Sequence, residues 1–219
     1  MAKSKLIKNF INSNMDIDTA LQNLLVILND FDNESLTNWA RKELTGYEHN
    51  DELPNYRKLT GRFIASYFVG YVHYSNVQFG IDHLGEDLVK LIKTVNFYSS
   101  ISSLDLAINS GNGLSKPIQP EHFGLIQSNS NANITSAQVN VDVTALKGVT
   151  STVRTKILET LLLLEKEFGN LDDLDIDIST KTTEEVNAII QNIQVTLYDN
   201  SITIGDNNKI KGTNILTNK

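Results

Sequence analysis

Acidic and apolar residues alternate near residue 175, and this is the first spacing that could bind a cation. Asp173, Asp175 and Asp177 occupy positions 1, 3 and 5 of a calcium loop, with Glu184 at position 12. The sixth position of such a loop needs a glycine for its sharp turn, but here it is Ile178. Alternation of this kind is typical of an edge strand with its charges outward. We therefore expect a strand here and no calcium site.

Other reactive residue types occur without the spacing that their chemistry needs. The segment SGNGLSK at 110–116 lacks the GxxxxGK[ST] spacing of a phosphate-binding loop. Histidines at 49, 73, 83 and 122 show no helical HExxH pattern, and the chain has no cysteine. Asp82, His83 and Glu86 form a local group that an enzyme could use, but their spacing is more typical of a solvated helix face. We expect no metal, no cofactor and no catalytic residue.

One polar cluster surrounds the end of a predicted helix and the connector that follows it. Its members are Trp39, Glu43, Tyr47, Tyr56 and Arg57, which we call the clasp. Trp39 and Glu43 are i,i+4 neighbours, and Arg57 is available to pair with Glu43. We favour a structural role, in which the cluster ties the connector to the helix. The alternative is a ligand pocket.

The bulk composition describes an ordinary globular protein. The chain has 219 residues, of which 40% are hydrophobic and 21% charged, and its net charge is −7. This charge disfavours broad binding to nucleic acid or to an anionic membrane. Apolar runs such as the four leucines at 161–164 are far too short to cross a bilayer, and we expect no secretory leader. We expect a cytoplasmic protein without a membrane span.

Caps and apolar spacing predict the elements of the first half. A helix is expected after Asp18 as its N-cap, and a second one from Asn33 to Gly46, where a positive φ ends it. The two helices should pack as an antiparallel pair. The aromatic and β-branched segment 62–80 predicts strands around Gly70. Two short segments near 84–95 and 97–108 favour helices, although the second one could be extended.

The second half is predicted to centre on one long helix. Segment 109–133 is rich in Gly, Ser and Asn, contains Pro117 and Pro120, and predicts a loop or a domain boundary. A strand should follow at 134–143, and then a helix at 145–168 whose apolar residues recur by threes and fours. Leu158 and Leu162 widen its apolar surface, so we expect this helix to be covered from two directions. A short helix should begin at Thr182 or Thr183.

The chain ends in alternating residues that predict a β-meander, with strands at 193–198, 201–204 and 209–215. Burying each large apolar side chain is worth about 1.5–3 kcal/mol, so we expect these strands to be covered. They could pack on the helices of the same chain. We favour pairing with other copies, which also covers open strand edges. The residues expected in this interface are Ile193, Val195, Leu197, Ile202, Ile204, Ile210, Ile215, Leu158 and Leu162.

These elements predict an α+β fold: an N-terminal helical pair with a small sheet, a long amphipathic helix in the second half, and a C-terminal strand tail. The predicted regions are 1–108, a linker at 109–133, a strand and long helix at 134–192, and the tail at 193–219.

The segment SLTNWARKELTGYEHNDELPNYRKLTG resembles the hallmark of the AbiTii family of bacterial abortive-infection proteins. Its pattern W-x-x-x-E-L-x-G-Y, an acidic spacer and L-P-x-Y-R contain all five clasp residues. The segment VRTKILETLLLLEKEFG in the second half is also similar to the family pattern. The resemblance implies a role in anti-phage defence, where infection triggers arrest or death of the host cell. It implies no catalytic residues.

Three functional hypotheses follow. We favour a non-enzymatic, self-assembling defence component that acts through protein–protein contacts. The alternatives are a toxin or effector enzyme that acts on nucleotides or RNA, and a sensor that binds a phage or host protein near residues 47–57.

Overall fold

The computed structural model of the chain describes residues 3–111 and 113–198 and has the predicted α+β fold. The helices within these residues are α1 (Lys5–Ile11), α2 (Ile17–Asn29), α3 (Glu34–Thr45), α4 (Glu86–Lys93), α5 (Ile101–Asn109), α6 (Phe123–Ile126), α7 (Val143–Phe168) and α8 (Thr183–Tyr198). The strands are β1 (Lys58–Thr60), β2 (Arg62–Val69), β3 (Val72–Gln78), β4 (Thr94–Asn96), β5 (Leu114–Pro117) and β6 (Ala132–Val141).

The first two long helices, α2 and α3, pack on each other as expected. Asn33 caps α3, since its side chain accepts a hydrogen bond from the Leu36 amide at 3.3 Å. Gly46 ends α3 with a φ of 97°, as its position predicted. The predicted N-cap of α2, Asp18, was wrong by two residues. Asp16 is the residue that accepts from the Thr19 amide, at 2.7 Å, and Asp18 lies inside the first turn.

A four-stranded antiparallel sheet has the order β3-β2-β6-β5, and β1 pairs separately with β4. The predicted strands at 62–80 are confirmed as the β2–β3 hairpin. Strand β5 is a correction, because it lies in the segment expected to be a loop. Leu114 pairs with Val141 and Pro117 with Gln138. A proline is compatible with this position because β5 is an edge strand.

Helix α7 is the centre of the hydrophobic core. The residues of its predicted apolar stripe are buried from Leu146 to Leu164, with Val153, Ile157 and Leu161 fully so, and Phe168 at the end of the helix is half-buried. It packs against α1, α2, α5 and α8. The prediction that more than one neighbour covers this helix is confirmed, and the neighbours belong to its own chain. Leu158 and Leu162 are half-buried and pack against the same core.

Two predicted strands were wrong. Residues 173–177 form no strand, since Leu174 has a φ of 56° and Ile176 is buried, and a 3-10 turn follows at Ile178–Thr180. Residues 193–198 are the last part of α8. A capping box begins this helix, because Thr182 and Glu185 exchange hydrogen bonds at 2.8 and 3.3 Å.

The spacing of the apolar residues explains why α8 continues to Tyr198. Ile189, Ile193 and Leu197 recur every four residues and are buried where α8 packs on α7 and α3. Packing on two helices outweighs the preference of isoleucine and valine for strands. The remaining residues of the predicted tail, Ile202, Ile204, Ile210 and Ile215, lie outside the described residues.

Candidate functional site

The five clasp residues come together in the structure, between the end of α3 and the 3-10 turn Asn55–Arg57. Helix α3 supplies Trp39 and Glu43, which lie one turn apart on its buried face. The 3-10 turn supplies Tyr56 and Arg57, and a backbone hydrogen bond from the Arg57 amide to the Pro54 carbonyl closes this turn at 2.9 Å. Glu43 and Arg57 are both 0% exposed.

The Glu43 carboxylate is the centre of the clasp. Its Oε1 accepts hydrogen bonds from the hydroxyls of Tyr47 and Tyr56, each at 2.7 Å. Arg57 donates to both carboxylate oxygens, from Nε to Oε1 at 3.2 Å and from Nη2 to Oε2. Trp39 completes the set because its indole Nε1 donates to the Tyr56 hydroxyl at 3.0 Å. A buried charge pair needs this degree of hydrogen bonding to offset the cost of desolvation.

Arg57 also binds the segment between β4 and α5. Its Nη1 donates to the carbonyl of Ser99 at 2.7 Å and to that of Phe97 at 3.3 Å. The guanidinium carbon lies 4.7 Å from the centroid of the Tyr47 ring and 5.6 Å from that of Phe97. Arg57 therefore joins three separate stretches of chain through hydrogen bonds and cation–π contacts.

Gly46 lets the end of α3 approach this same segment closely. A Cβ atom at this position would lie 2.9 Å from the Tyr98 carbonyl oxygen, too close for any other residue. The neighbouring Tyr47 amide donates to that oxygen at 2.6 Å. A glycine is therefore needed at position 46 for two reasons: its φ is positive, and the backbone of another segment lies too close for a side chain.

The electrostatics of the clasp fix the protonation states of its two tyrosines and its arginine. Burial, followed by the charge of Glu43, raises the pKa of Tyr47 and of Tyr56 well above the ordinary range of a phenol. Burial works against the charged guanidinium of Arg57, but the hydrogen bond and charge of Glu43 outweigh it and raise the pKa. The phenols stay neutral and the guanidinium stays charged near neutral pH.

Sequence reasoning missed Lys156 of α7, which contacts the clasp. This lysine is only 4% exposed, its Nζ lies 5.6 Å from the centroid of the Tyr56 ring, and it donates to the Thr196 carbonyl at 2.7 Å. It connects the clasp to the C-terminal turn of α8, where a positive charge is favourable. The available signal was its position on the apolar face of α7, between Val153 and Ile157.

The comparison with family models decides where this chain belongs. The AbiTii model matches residues 4–192, nearly the whole of the described chain. The chain belongs to the AbiTii family. The family is associated with abortive-infection defence in bacteria. No curated protein and no solved structure gives a significant match to it.

The remaining candidates of this AbiTii protein lie outside the clasp. Asp82, His83 and Glu86 are all exposed. Lys116 of the SGNGLSK segment donates to the Thr94 carbonyl at 2.8 Å, and burial lowers its pKa. Within residues 3–111 and 113–198, no group of three or more acidic or histidine side chains is placed to hold a metal ion. In the same ranges, no helix is long and apolar enough to cross a membrane.

The described residues of the predicted assembly surface lie largely within the chain's own fold. Ile193 and Leu197 are fully buried against α3 and α7. Val195 is half-buried and lines a groove between α7 and α8. Ile193 and Leu197 are therefore unavailable to another copy while α8 stays docked.

Proposed function

We propose that this AbiTii protein acts in abortive infection as a non-enzymatic, self-assembling component that works through protein–protein contacts. The observation that carries the proposal is the contrast between two regions. The polar groups of the clasp are hydrogen-bonded to each other, whereas the β2–β3 hairpin exposes apolar side chains. The clasp holds Glu43, Tyr47, Tyr56 and Arg57 of the family hallmark, and these residues contact each other. A group of large exposed apolar side chains lies instead in the β2–β3 hairpin.

The state of the clasp favours a structural role over catalysis. General acid–base catalysis needs a group whose pKa lies near the working pH and which can reach a substrate. The pKa values of Tyr47 and Tyr56 are raised away from neutrality, and Glu43 and Arg57 have no exposed surface. Any substrate would have to displace several charge-assisted hydrogen bonds to enter, so the clasp serves to fix α3, the 3-10 turn and α7 in place.

The exposed apolar surface favours contact with another protein. Five of the large hydrophobic side chains that remain exposed lie within seven consecutive positions at the tip of the β2–β3 hairpin: Phe68, Val69, Tyr71, Val72 and Tyr74. Scattered exposed apolar residues are ordinary, but a contiguous group marks an interaction site. The hairpin is already formed by cross-strand pairing, which lowers the entropy lost on binding.

The molar mass of the full chain over a concentration series tests self-assembly. We expect multi-angle light scattering to give a mass above one chain at micromolar concentration. A variant that lacks residues 199–219 tests whether the predicted tail takes part, since its loss should then lower the mass while circular dichroism retains the helical signal. A mass of one chain for the full protein at about 100 μM would contradict the proposal.

A second measurement tests the non-enzymatic part of the proposal. The double substitution Asp82→Asn with Glu86→Gln removes two neighbouring exposed carboxylates that an enzyme could use. We expect cells that carry this variant to restrict phage plating as well as cells with the unchanged protein. Loss of restriction, with folding and molar mass unchanged, would instead support an enzyme.

A further inference from the structure

The β2–β3 hairpin is uncharged over a long stretch. No Asp, Glu, Lys or Arg occurs between Phe63 and Ile81, although 21% of the whole chain is charged. Natural edge strands are usually protected by charges, and lysine above all, against pairing with other strands. We call residues 63–81 the neutral hairpin. Its outer strand β3 is an edge of the sheet, so this protection is missing where it is normally needed.

The tip of the neutral hairpin is exposed on both of its faces. Tyr71 has a relative exposure of 106%, and the side chains of Val72 and Tyr74 also face solvent. Cross-strand ring stacks stiffen the tip, with Phe68 on His73 at 4.5 Å and Tyr67 on Tyr74 at 5.0 Å. The hairpin is therefore a preformed arm and not a loop that must fold on binding.

The turn geometry determines which backbone amides and carbonyls of β3 point away from β2 and so can bond to another strand. Val69 pairs with Val72 across the two-residue turn Gly70–Tyr71, and Gly70 has a φ of 56°. Pairs in an antiparallel ladder alternate between hydrogen-bonded and non-hydrogen-bonded. The pair that closes the turn is hydrogen-bonded, as is the Tyr67–Tyr74 pair two residues away. The amide and carbonyl of His73, between them, therefore point away from β2.

A β-bulge limits the open edge to a short segment. The register shifts opposite Ser66, and Asn76 adopts a φ of 51°. The Asn76 amide turns inward and donates to the Ser66 hydroxyl at 3.0 Å. The bulge interrupts regular pairing beyond Ser75. The free edge thus runs from Tyr71 to Ser75, and His73 is its central residue.

We infer that a second copy of this chain pairs with this edge, antiparallel and two-fold, with His73 of each copy opposite His73 of the other. In this register the amide and carbonyl of each His73 bond to those of the other. Val72 of one copy then packs against Tyr74 of the other on one face of the joined sheet. The two Phe68–His73 stacks meet on the opposite face. Each exposed side chain of the strand gains a partner.

Charge favours a second copy over a foreign partner. Each copy carries a net charge of −7, so two copies repel wherever their acidic surfaces meet. In a two-fold antiparallel pair, residues meet their own kind at the centre, and like charges opposite each other are destabilising. An edge without Asp, Glu, Lys or Arg avoids this repulsion, and the edge from Tyr71 to Ser75 contains none of them. A cationic partner would be attracted to the acidic surface elsewhere and would gain nothing from a neutral strand.

A charge-swap experiment at position 73 tests the inference, which rests on the proposed self-assembly. The variants His73→Glu and His73→Lys each place two like charges across the two-fold axis in the full chain. Sedimentation velocity should show self-association weakened by at least about tenfold for each variant alone. An equimolar mixture should regain association, because opposite charges then face each other. His73→Gln, which stays neutral, should associate like the unchanged protein.

Matched controls and folding checks make the outcomes distinct. His83 is exposed and lies outside the neutral hairpin, so His83→Glu and His83→Lys should leave association unchanged. Circular dichroism establishes that each variant is folded. If the unchanged protein associates and the His73 variants do so equally, the inference fails while self-assembly stands. Dissociation that the mixture does not reverse would rule out a two-fold pairing. A mass of one chain for the unchanged protein would overturn both proposals.

Discussion

The clasp buries charged residues and the neutral hairpin exposes large apolar ones, so each region reverses the usual distribution in a folded protein. Charged residues are mostly exposed and large apolar ones buried in folded proteins. Here Glu43 and Arg57 have no exposed surface, whereas Tyr71 and Val72 face solvent. The difference separates two tasks. The clasp uses its charges to hold distant parts of one chain together, and the hairpin leaves its apolar residues available to another molecule.

The largest expected effect comes from Glu43→Gln, which breaks the clasp. The substitution leaves the Arg57 guanidinium buried without a counter-charge, and such losses cost about 3–5 kcal/mol. We expect the free energy of unfolding in urea to fall by this amount. Glu34→Gln makes the same change at an exposed position of α3 and should have a small effect. Equal effects for the two variants would mean that the clasp adds no stability.

Sequence reasoning was accurate where one local pattern determines the outcome. The Asn33 cap, the glycine at 46 and the apolar stripe of α7 were each readable from a few residues. The five clasp residues were also predicted to lie together. Their role as ligand pocket or structural tie was left open, and no pattern could reveal that every oxygen of Glu43 is already bonded.

The failures lie where tertiary contacts override local preference. Ile193, Val195 and Leu197 alternate like a strand, but two of them also lie four residues apart and meet α3 and α7. Strand β5 was missed because its four residues carry little signal without their partner β6. The carbonyls that bind Arg57 were not predictable, because every residue has a backbone carbonyl and the residue type does not indicate which carbonyl accepts a hydrogen bond.

The pH dependence of stability provides a second test of the clasp. Both phenols have a folded pKa above the unfolded value of 10.0. Above pH 10 the unfolded chain releases these protons and the folded chain keeps them, so stability is complete below that pH and falls above it. Each tyrosine contributes about 1.4 kcal/mol per pH unit. Urea unfolding between about pH 9 and pH 11 should show the combined slope.

Phenylalanine variants test whether the two clasp tyrosines cause the loss of stability at alkaline pH. The double substitution Tyr47→Phe with Tyr56→Phe should remove about 2.7 kcal/mol per pH unit from the alkaline slope, because neither ring can then titrate. Tyr71→Phe removes a hydroxyl from the hairpin tip and should leave the slope unchanged. A slope that persists undiminished in the double variant would mean that other groups cause the alkaline loss of stability. A smaller residual slope is expected, because burial also raises the pKa of Tyr198.

A smaller effect is expected from Lys156→Met, which separates the clasp from α8. Methionine retains an apolar stem but loses the charge-assisted hydrogen bond to the Thr196 carbonyl, worth about 2 kcal/mol. Hydrogen exchange should accelerate in the last turn of α8 more than in α2. Lys147→Met is the matched control, because Lys147 is exposed on the same helix. A uniform acceleration across all helices would show that Lys156 supports the whole fold and not this contact.

The smallest effect on folding is expected at the hairpin. Tyr71→Ser should change the free energy of unfolding by no more than about 0.5 kcal/mol, because the ring makes no buried contact to lose. Phe63→Ala, on the buried face of β2, should cost about 3–5 kcal/mol. The measurement belongs at a concentration where the copies are separate, since association adds to apparent stability. If Tyr71→Ser costs more than about 1 kcal/mol there, the tip stabilises its own chain, and its exposure is then no sign of a partner.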